Sequence, residues 1–161
     1  MKKYLLIFLL FVLLLFAPRL LISLKSDRII IDDFPVSGHI VDETPLKSVV
    51  ATLKSNIKAS NEENIDHYIN TLIPSAREET EKEIRSFFEK YDLHIELISI
   101  EVVEQTPERV KLRVVQQSEN HNEADYRNHE ATVGMTFIKV NDQWLIAESM
   151  MENTKFNYAK E

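Results

Sequence analysis

The chain has 161 residues, no cysteine and a formal net charge of −7. Four of its 19 basic residues precede Ser26 and all 26 acidic residues follow that point, so residues 26–161 carry a net charge of −11. Such an acidic domain repels phosphate backbones, which argues against a nucleic-acid partner. The lack of cysteine excludes disulfide bonds, thiol nucleophiles and cysteine-ligated metal centres.

The chain begins with a strongly apolar segment, residues 4–24, behind Lys2 and Lys3. The run to Ala17 is too short to cross a bilayer, but its extension to Leu24 supplies the roughly 20 residues that a spanning helix needs. Bulky side chains at the expected cleavage positions favour an uncleaved signal anchor, and the alternative is a removed signal peptide and a secreted protein. We predict that residues 1–25 form a single-pass anchor in the cell membrane, with the following domain on the extracytoplasmic side.

Residues 26–43 show no sustained hydrophobic period, and we interpret them as a linker in which 29–31 or Val36 can add a short strand. The folded domain is predicted to cover residues 44–161.

Three amphipathic helices are predicted at the start of this domain. The first covers residues 45–59, where apolar side chains recur at helical spacing after Pro45. Asn61 is placed to cap the second helix, which Pro74 ends. Ser75 opens the third with a capping-box pattern.

After residue 91 the hydrophobic period changes from helical to alternating, which indicates strands. The apolar parity shifts between Leu97 and Ile98, as a one-residue β-bulge produces, and Gly134 marks a second bend. The predicted class is therefore α+β, with three N-terminal helices packed in a strongly curved antiparallel sheet of about four strands. These strands cover about 92–104, 109–118, 127–140 and 143–153.

Several short stretches resemble a known family. They are the helix pair around residues 49–53 and 65–68, the strand start Tyr126-Arg127, and residues 137–146, which end in a strand, a turn and a Trp-x-Ile strand. Together they resemble nuclear transport factor 2-like and SnoaL-like domains, over about residues 45–157. This resemblance implies a cone-shaped, cystatin-like fold and the possibility of a homodimer through the outer sheet face. Proteins with this fold include enzymes and binding modules, so the resemblance does not decide the activity.

No common catalytic or cofactor-binding motif occurs. With two glycines in the whole chain, phosphate-cradling and dinucleotide-binding loops are excluded. We predict no cofactor, no metal and no catalytic residue. The densest histidine and acid cluster, within residues 121–130, is interpreted as a solvated hairpin loop, with a metal site as the alternative.

Four polar residues share the phase of the apolar face of their strands, and they form the candidate pocket. Gln116 continues the inward series that ends at Val114, and His129 and Arg127 continue the series of Ala131 backwards. Glu148 lies within the last strand, in the phase of Trp144 and Ile146. Polar groups that converge in an apolar cavity are typical of small-ligand sites. The alternative is that the strand ends are solvated or that a His–Glu pair satisfies itself.

Two functions follow from these observations. The first is a membrane-tethered extracytoplasmic binding domain without catalysis, for a small apolar ligand or a protein partner. The second is a small cyclase-, isomerase- or dehydratase-type enzyme that uses His129 as a general base.

Overall fold

The computed structural model describes residues 27–156, and within this range the chain forms three helices and one sheet of six strands. The helices are α1 (Glu43–Asn61), α2 (Ile65–Asn70) and α3 (Pro74–Lys90). The strands are β1 (Asp27–Ile31), β2 (Phe34–Gly38), β3 (Leu93–Gln105), β4 (Arg109–Asn120), β5 (His129–Val140) and β6 (Gln143–Phe156).

The strand order in the sheet follows the chain from β1 to β6. Strands β3 to β6 form an antiparallel meander, and β1 and β2 form a hairpin. This hairpin joins the meander in parallel, because β2 pairs with β3 through Val36 opposite Ile100 and Gly38 opposite Val102.

The predicted count of about four strands is therefore wrong, because the described sheet has six. The two additional strands lie in the segment that we interpreted as a linker, for which the sequence predicted at most one short strand, at residues 29–31 or Val36. Ile31 and Val36 bury their side chains in the core, which stabilises the hairpin. Asp32 and Asp33 connect its strands with φ values of 47° and 64°, the left-handed conformation that two-residue hairpin turns require.

Helix α1 packs against the inner face of the sheet and supplies much of the core. Leu46, Val49, Val50 and Leu53 of its apolar stripe are fully buried. The Thr52 hydroxyl donates to the Trp144 carbonyl at 2.8 Å, which fixes the helix on β6. The fully buried side chains with the largest volumes are Phe137, Ile31, Leu46, Leu53, Ile100 and Leu112.

The helix limits differ from the prediction at the α1–α2 junction. Asn61 is the last residue of α1, and its amide bonds the backbone N and O of Ile95 at 2.8 and 3.0 Å. Asn64 caps α2 instead, by accepting from the His67 N–H at 3.0 Å. The side chain of Asn61 thus joins α1 to β3 rather than starting a helix.

The predicted β-bulge is confirmed, because the register of β3 against β4 shifts between Leu97 and Ser99. Two further shifts in β5 against β6, after Thr132 and after Thr136, lie on either side of Gly134. These irregularities bend the sheet around α1.

No helix within residues 27–156 is long and apolar enough to span a membrane. The anchor predicted at residues 1–25 lies outside the described residues.

Candidate functional site

A cavity of about 230 Å³ lies between α1, α2 and the inner face of the sheet. We refer to it as the cone cavity. Its apolar wall comes from both layers and contains Leu53, Ile57, Ile95, Val133, Met135 and Met151. Its polar wall consists of Asn56, Ser60, Tyr68, Gln116 and Ser149.

Three of the five polar-wall residues lie on α1 and α2, and Gln116 and Ser149 come from β4 and β6. The Asn56 amide donates to the Thr71 hydroxyl at 2.8 Å, and that hydroxyl donates to the Tyr68 carbonyl at 2.6 Å. Burial raises the pKa of the Tyr68 hydroxyl above its ordinary value of 10.0, and a hydrogen bond with Asn56 opposes the shift. Tyr68 is therefore an uncharged hydroxyl at neutral pH.

Within residues 27–156, every buried side-chain nitrogen or oxygen has a hydrogen-bond partner. On the helical side of the wall, the hydrogen bond between Asn56 and Thr71 holds the Asn56 amide in place before any ligand enters. Uncharged amides and hydroxyls of this kind orient a ligand by hydrogen bonding.

The structure does not bring the four predicted pocket residues together. Gln116 alone lines the cone cavity. Arg127 and His129 lie together at the start of β5, where His129 Nδ1 is 2.9 Å from the Arg127 carbonyl oxygen. The Arg127 guanidinium stacks on Phe156, 3.9 Å from the ring centroid.

Glu148 lies on the outer face of the sheet. Its carboxylate accepts from the Thr136 hydroxyl at 3.3 Å, and the outward-facing Met150 next along this face is 67% exposed. The register shift between Thr136 and Phe137 adds a residue to β6 before Glu148 and reverses the alternation. Ser149 therefore faces the cone cavity in its place.

An aromatic chain runs along the rim of the cone. Tyr68 packs edge-on against Phe88 with 6.1 Å between ring centroids, and further contacts continue to β5 and β6. Neighbouring rings beyond Phe88 have centroids 5.1 to 6.4 Å apart, in the order Phe87, Tyr91, Tyr126, His129 and Phe156. His129 belongs to this rim, and its ring contacts are aromatic.

Sequence reasoning missed Asn56, Ser60, Tyr68 and Ser149. Asn56 and Ser60 continue the stripe of Val49 and Leu53 at helical spacing, so a polar residue in an apolar helix stripe was the available signal. Ser149 carried no such signal, because only the bulge turns it inward.

Within the described range, no group of three or more histidine and acidic side chains is arranged to hold a metal ion. His121, from the loop cluster, instead stacks on His94 with ring centroids 5.8 Å apart. His94 is exposed, as its position in the alternation predicted.

Solved structures share this fold at low sequence identity. A protein of unknown function with a cystatin-like fold from Nostoc punctiforme aligns with a TM-score of 0.58 and 10% identity, over 70% of this chain and 92% of that chain. An NTF-2 like protein of unknown function from Shewanella oneidensis aligns at 0.54 and 13%, over 67% and 98%. A putative scytalone dehydratase from Novosphingobium aromaticivorans aligns at 0.58 and 10%, over 73% and 91%. The cystatin-like, nuclear transport factor 2-like architecture is thereby confirmed.

No curated protein sequence matches the chain. A family model described as the C-terminal domain of anti-sigma-I factor RsgI9 matches residues 51–157, most of the described domain. The chain therefore belongs to the family of the RsgI9 C-terminal domain.

Proposed function

We propose that the protein is a membrane-tethered, extracytoplasmic binding domain whose cone cavity takes a small uncharged ligand without catalysis. The observation that carries this proposal is the chemistry of the cavity wall. Its polar groups are amides and hydroxyls, and its one titratable side chain, Tyr68, has a pKa raised by burial. An uncharged ligand enters such a wall without the desolvation cost of a buried, unpaired charge.

The size of the cavity supports a ligand smaller than most cofactors. Its 230 Å³ fall below the roughly 300–1,000 Å³ of pockets that hold drug-sized molecules. The apolar residues of the wall favour a ligand with an apolar body and a polar end that reaches Gln116 or Tyr68.

The surroundings of His129 support binding over the enzyme alternative. A general base in this fold would need a substrate within hydrogen-bond reach. His129 lies on the rim, one of its ring nitrogens faces the Arg127 carbonyl, and Glu148, its proposed partner, is on the outer face.

The family supports a regulatory role for this binding. Its description names the C-terminal domain of an anti-sigma-I factor. Together with the predicted anchor over residues 4–24, this favours a domain that binds a ligand or protein outside the membrane. A homodimer through the outer sheet face stays a prediction.

The ligand proposal can be tested by thermal unfolding of the full chain in detergent micelles with matched probes. Benzamide is the uncharged probe, and benzoate is an anionic probe of the same shape. We expect benzamide to raise the melting temperature and benzoate to leave it unchanged, since a ligand that binds only the folded state stabilises it.

Two neighbouring glutamines on β4 provide the matched variants. Gln116→Met removes an amide from the cone cavity, whereas Gln117→Met changes the adjacent residue, which points to the other face. The benzamide effect should disappear in the first variant and persist in the second. Equal stabilisation by benzoate, loss of the effect in both variants, or no effect of benzamide would each contradict an uncharged-ligand site in the cavity.

The tether is tested separately. Full-length protein should remain in the membrane fraction with its initial residues present, and external protease should digest the domain on intact cells. A soluble protein that begins near residue 18 to 26, detected by mass spectrometry, would show that the segment is a removed signal peptide.

A further inference from the structure

Strand β1 follows the apolar segment almost directly. Leu24 ends that segment, and Asp27 is already paired with Gly38 in the sheet. Three residues of extended chain reach at most about 10 Å. The domain is thus joined to the apolar segment by a very short connection, which in the sequence is Lys25 and Ser26.

The strand register shows which end of the domain this connection reaches. Gly38, the partner of Asp27, is itself opposite Val102, and the His39 N–H donates to the Val102 carbonyl at 2.8 Å. From Val102, β3 runs on to its turn with β4. The β5–β6 turn lies at the same end, because Arg109 at the start of β4 pairs with Ile138 near the end of β5.

We call this end, with residues 106–108 and 141–142, the turn end. The opposite end carries the long β4–β5 loop, residues 121–128, and we call it the loop end. From Val102 to residue 106 the strand advances about 13 Å, whereas from Val102 back to Leu93 it runs about 30 Å. Measured from the level of Asp27 and Val102, the turn end lies about as far away as the short connection can extend. The loop end lies in the opposite direction and at more than about twice that distance.

We propose that the turn end rests at the headgroup level of the bilayer and that the loop end points away from the membrane. This inference rests on the membrane tether of the proposed function. The exposed charges at the turn end are mixed, because Asp142 is paired with Lys139 at 2.9 Å and Arg109 follows Glu108, so this end has no basic cluster to attract anionic lipids. The orientation is therefore imposed by the short connection and not by attraction to the lipid.

One consequence concerns access to the two ends. A surface groove of about 510 Å³ at the turn end, beside Trp144 and Gln105, faces the bilayer. The loop end is the part that a soluble protein partner reaches first. It presents the stacked pair His94 and His121 and the Arg127–Phe156 contact.

The orientation can be measured by energy transfer to acceptor-labelled lipids in vesicles that contain the full chain. The chain has no cysteine, so each single-cysteine variant carries one label. Glu108→Cys places a donor dye at the turn end, and Glu123→Cys places the same dye at the loop end. Both residues are exposed glutamates in loops, so the two variants lose the same charge. We expect several-fold higher transfer from position 108.

A second pair of proteins isolates the role of the connection. Both labelled variants are rebuilt with a Gly/Ser insertion of about 12 residues before Asp27, which has a root-mean-square length of roughly 20 Å. We expect this insertion to bring the two transfer efficiencies close together.

Equal or reversed transfer without the insertion, in protein that remains with the vesicles, would overturn the proposed orientation. So would a difference that the insertion leaves unchanged, because it would show attraction to lipid and not the short connection. Protein that fails to remain with the vesicles would instead show that the tether of the proposed function is wrong.

Discussion

Helices α1 and α3 have similar lengths, 19 and 17 residues, and both carry an apolar stripe, but they contribute differently to the fold. Helix α1 buries seven residues against the concave sheet, whereas no residue of α3 is buried. Ala76 at the start of α3 packs against the core, and the aromatic side chains further along contact each other and the rim, as in the Phe87–Tyr91 pair at 5.1 Å. An amphipathic stripe thus predicts which face of a helix turns inward, and the partner surface decides how deeply it is buried.

The largest effect that this comparison predicts is at Leu53 in α1, which is 1% exposed. Leu53→Ala removes buried methyl groups and leaves a cavity beside the core, so unfolding free energy should fall by about 2–5 kcal/mol. Urea unfolding of the two proteins measures this difference. Ser55→Ala, on the exposed side of the same helix, should change stability by less than about 0.5 kcal/mol. Similar losses for both variants would mean that α1 is not inserted in the sheet.

A smaller loss is expected at Phe88 in α3. Its ring is half-buried and meets Tyr68 edge-on, so Phe88→Ala should cost about 1–2 kcal/mol, below the 3–5 kcal/mol of fully buried phenylalanines. Urea unfolding measures the cost, with the exposed Ser86→Ala as the control. A loss as large as that of Leu53→Ala would show that α3 is buried as deeply as α1.

The smallest change in unfolding free energy at neutral pH is expected at Tyr68 on α2, the short helix between α1 and α3. Burial raises its pKa above 10.0, so the unfolded chain releases this proton at lower pH than the folded protein does. The stabilising contribution is complete below pH 10 and is lost as the pH rises through the folded pKa. Tyr68→Phe should therefore reduce the loss of stability between pH 9 and pH 11, as followed by urea midpoints.

The matched control for this pH effect is Tyr126 on the rim. Burial also raises its pKa, but the residue is only half-buried. Tyr126→Phe should reduce the alkaline loss by less than Tyr68→Phe does. The reverse order would mean that the Tyr126 hydroxyl is more deeply buried than the Tyr68 hydroxyl, and it would contradict the deeper burial of side chains inside the cone than at its rim.

The features that could be predicted from the sequence depend on neighbours along the chain. The apolar parity around Leu97 revealed a bulge because each residue reports the face of its own strand. The pairs Glu78–Lys82 and Glu81–Arg85 on α3, at 3.0 and 2.8 Å, follow from helical spacing alone.

The features that were missed depend on pairing at a distance. The hairpin of β1 and β2 joins β3 in parallel, and no local pattern specifies that partner. The Asp32–Asp33 turn lacks the glycine that usually marks a two-residue hairpin. Glu148 was assigned to the inner face by continuing the alternation of β6 through a bulge. The order of apolar residues does not reveal this bulge, so the candidate pocket included a residue of the outer face.

The parallel pairing of β2 with β3 also has a consequence for the order of folding during synthesis. Ser37 donates to the Ile100 carbonyl across 63 residues, so the hairpin emerges from the ribosome long before its partner strand. At typical elongation rates that interval lasts roughly 3–13 s. Throughout it, the edge of β2 that later pairs with β3, residues 36–38, lacks its partner strand and is available to chaperones and to aggregation. The first strands of the domain to be made thus remain outside the main sheet until β3 has been synthesised.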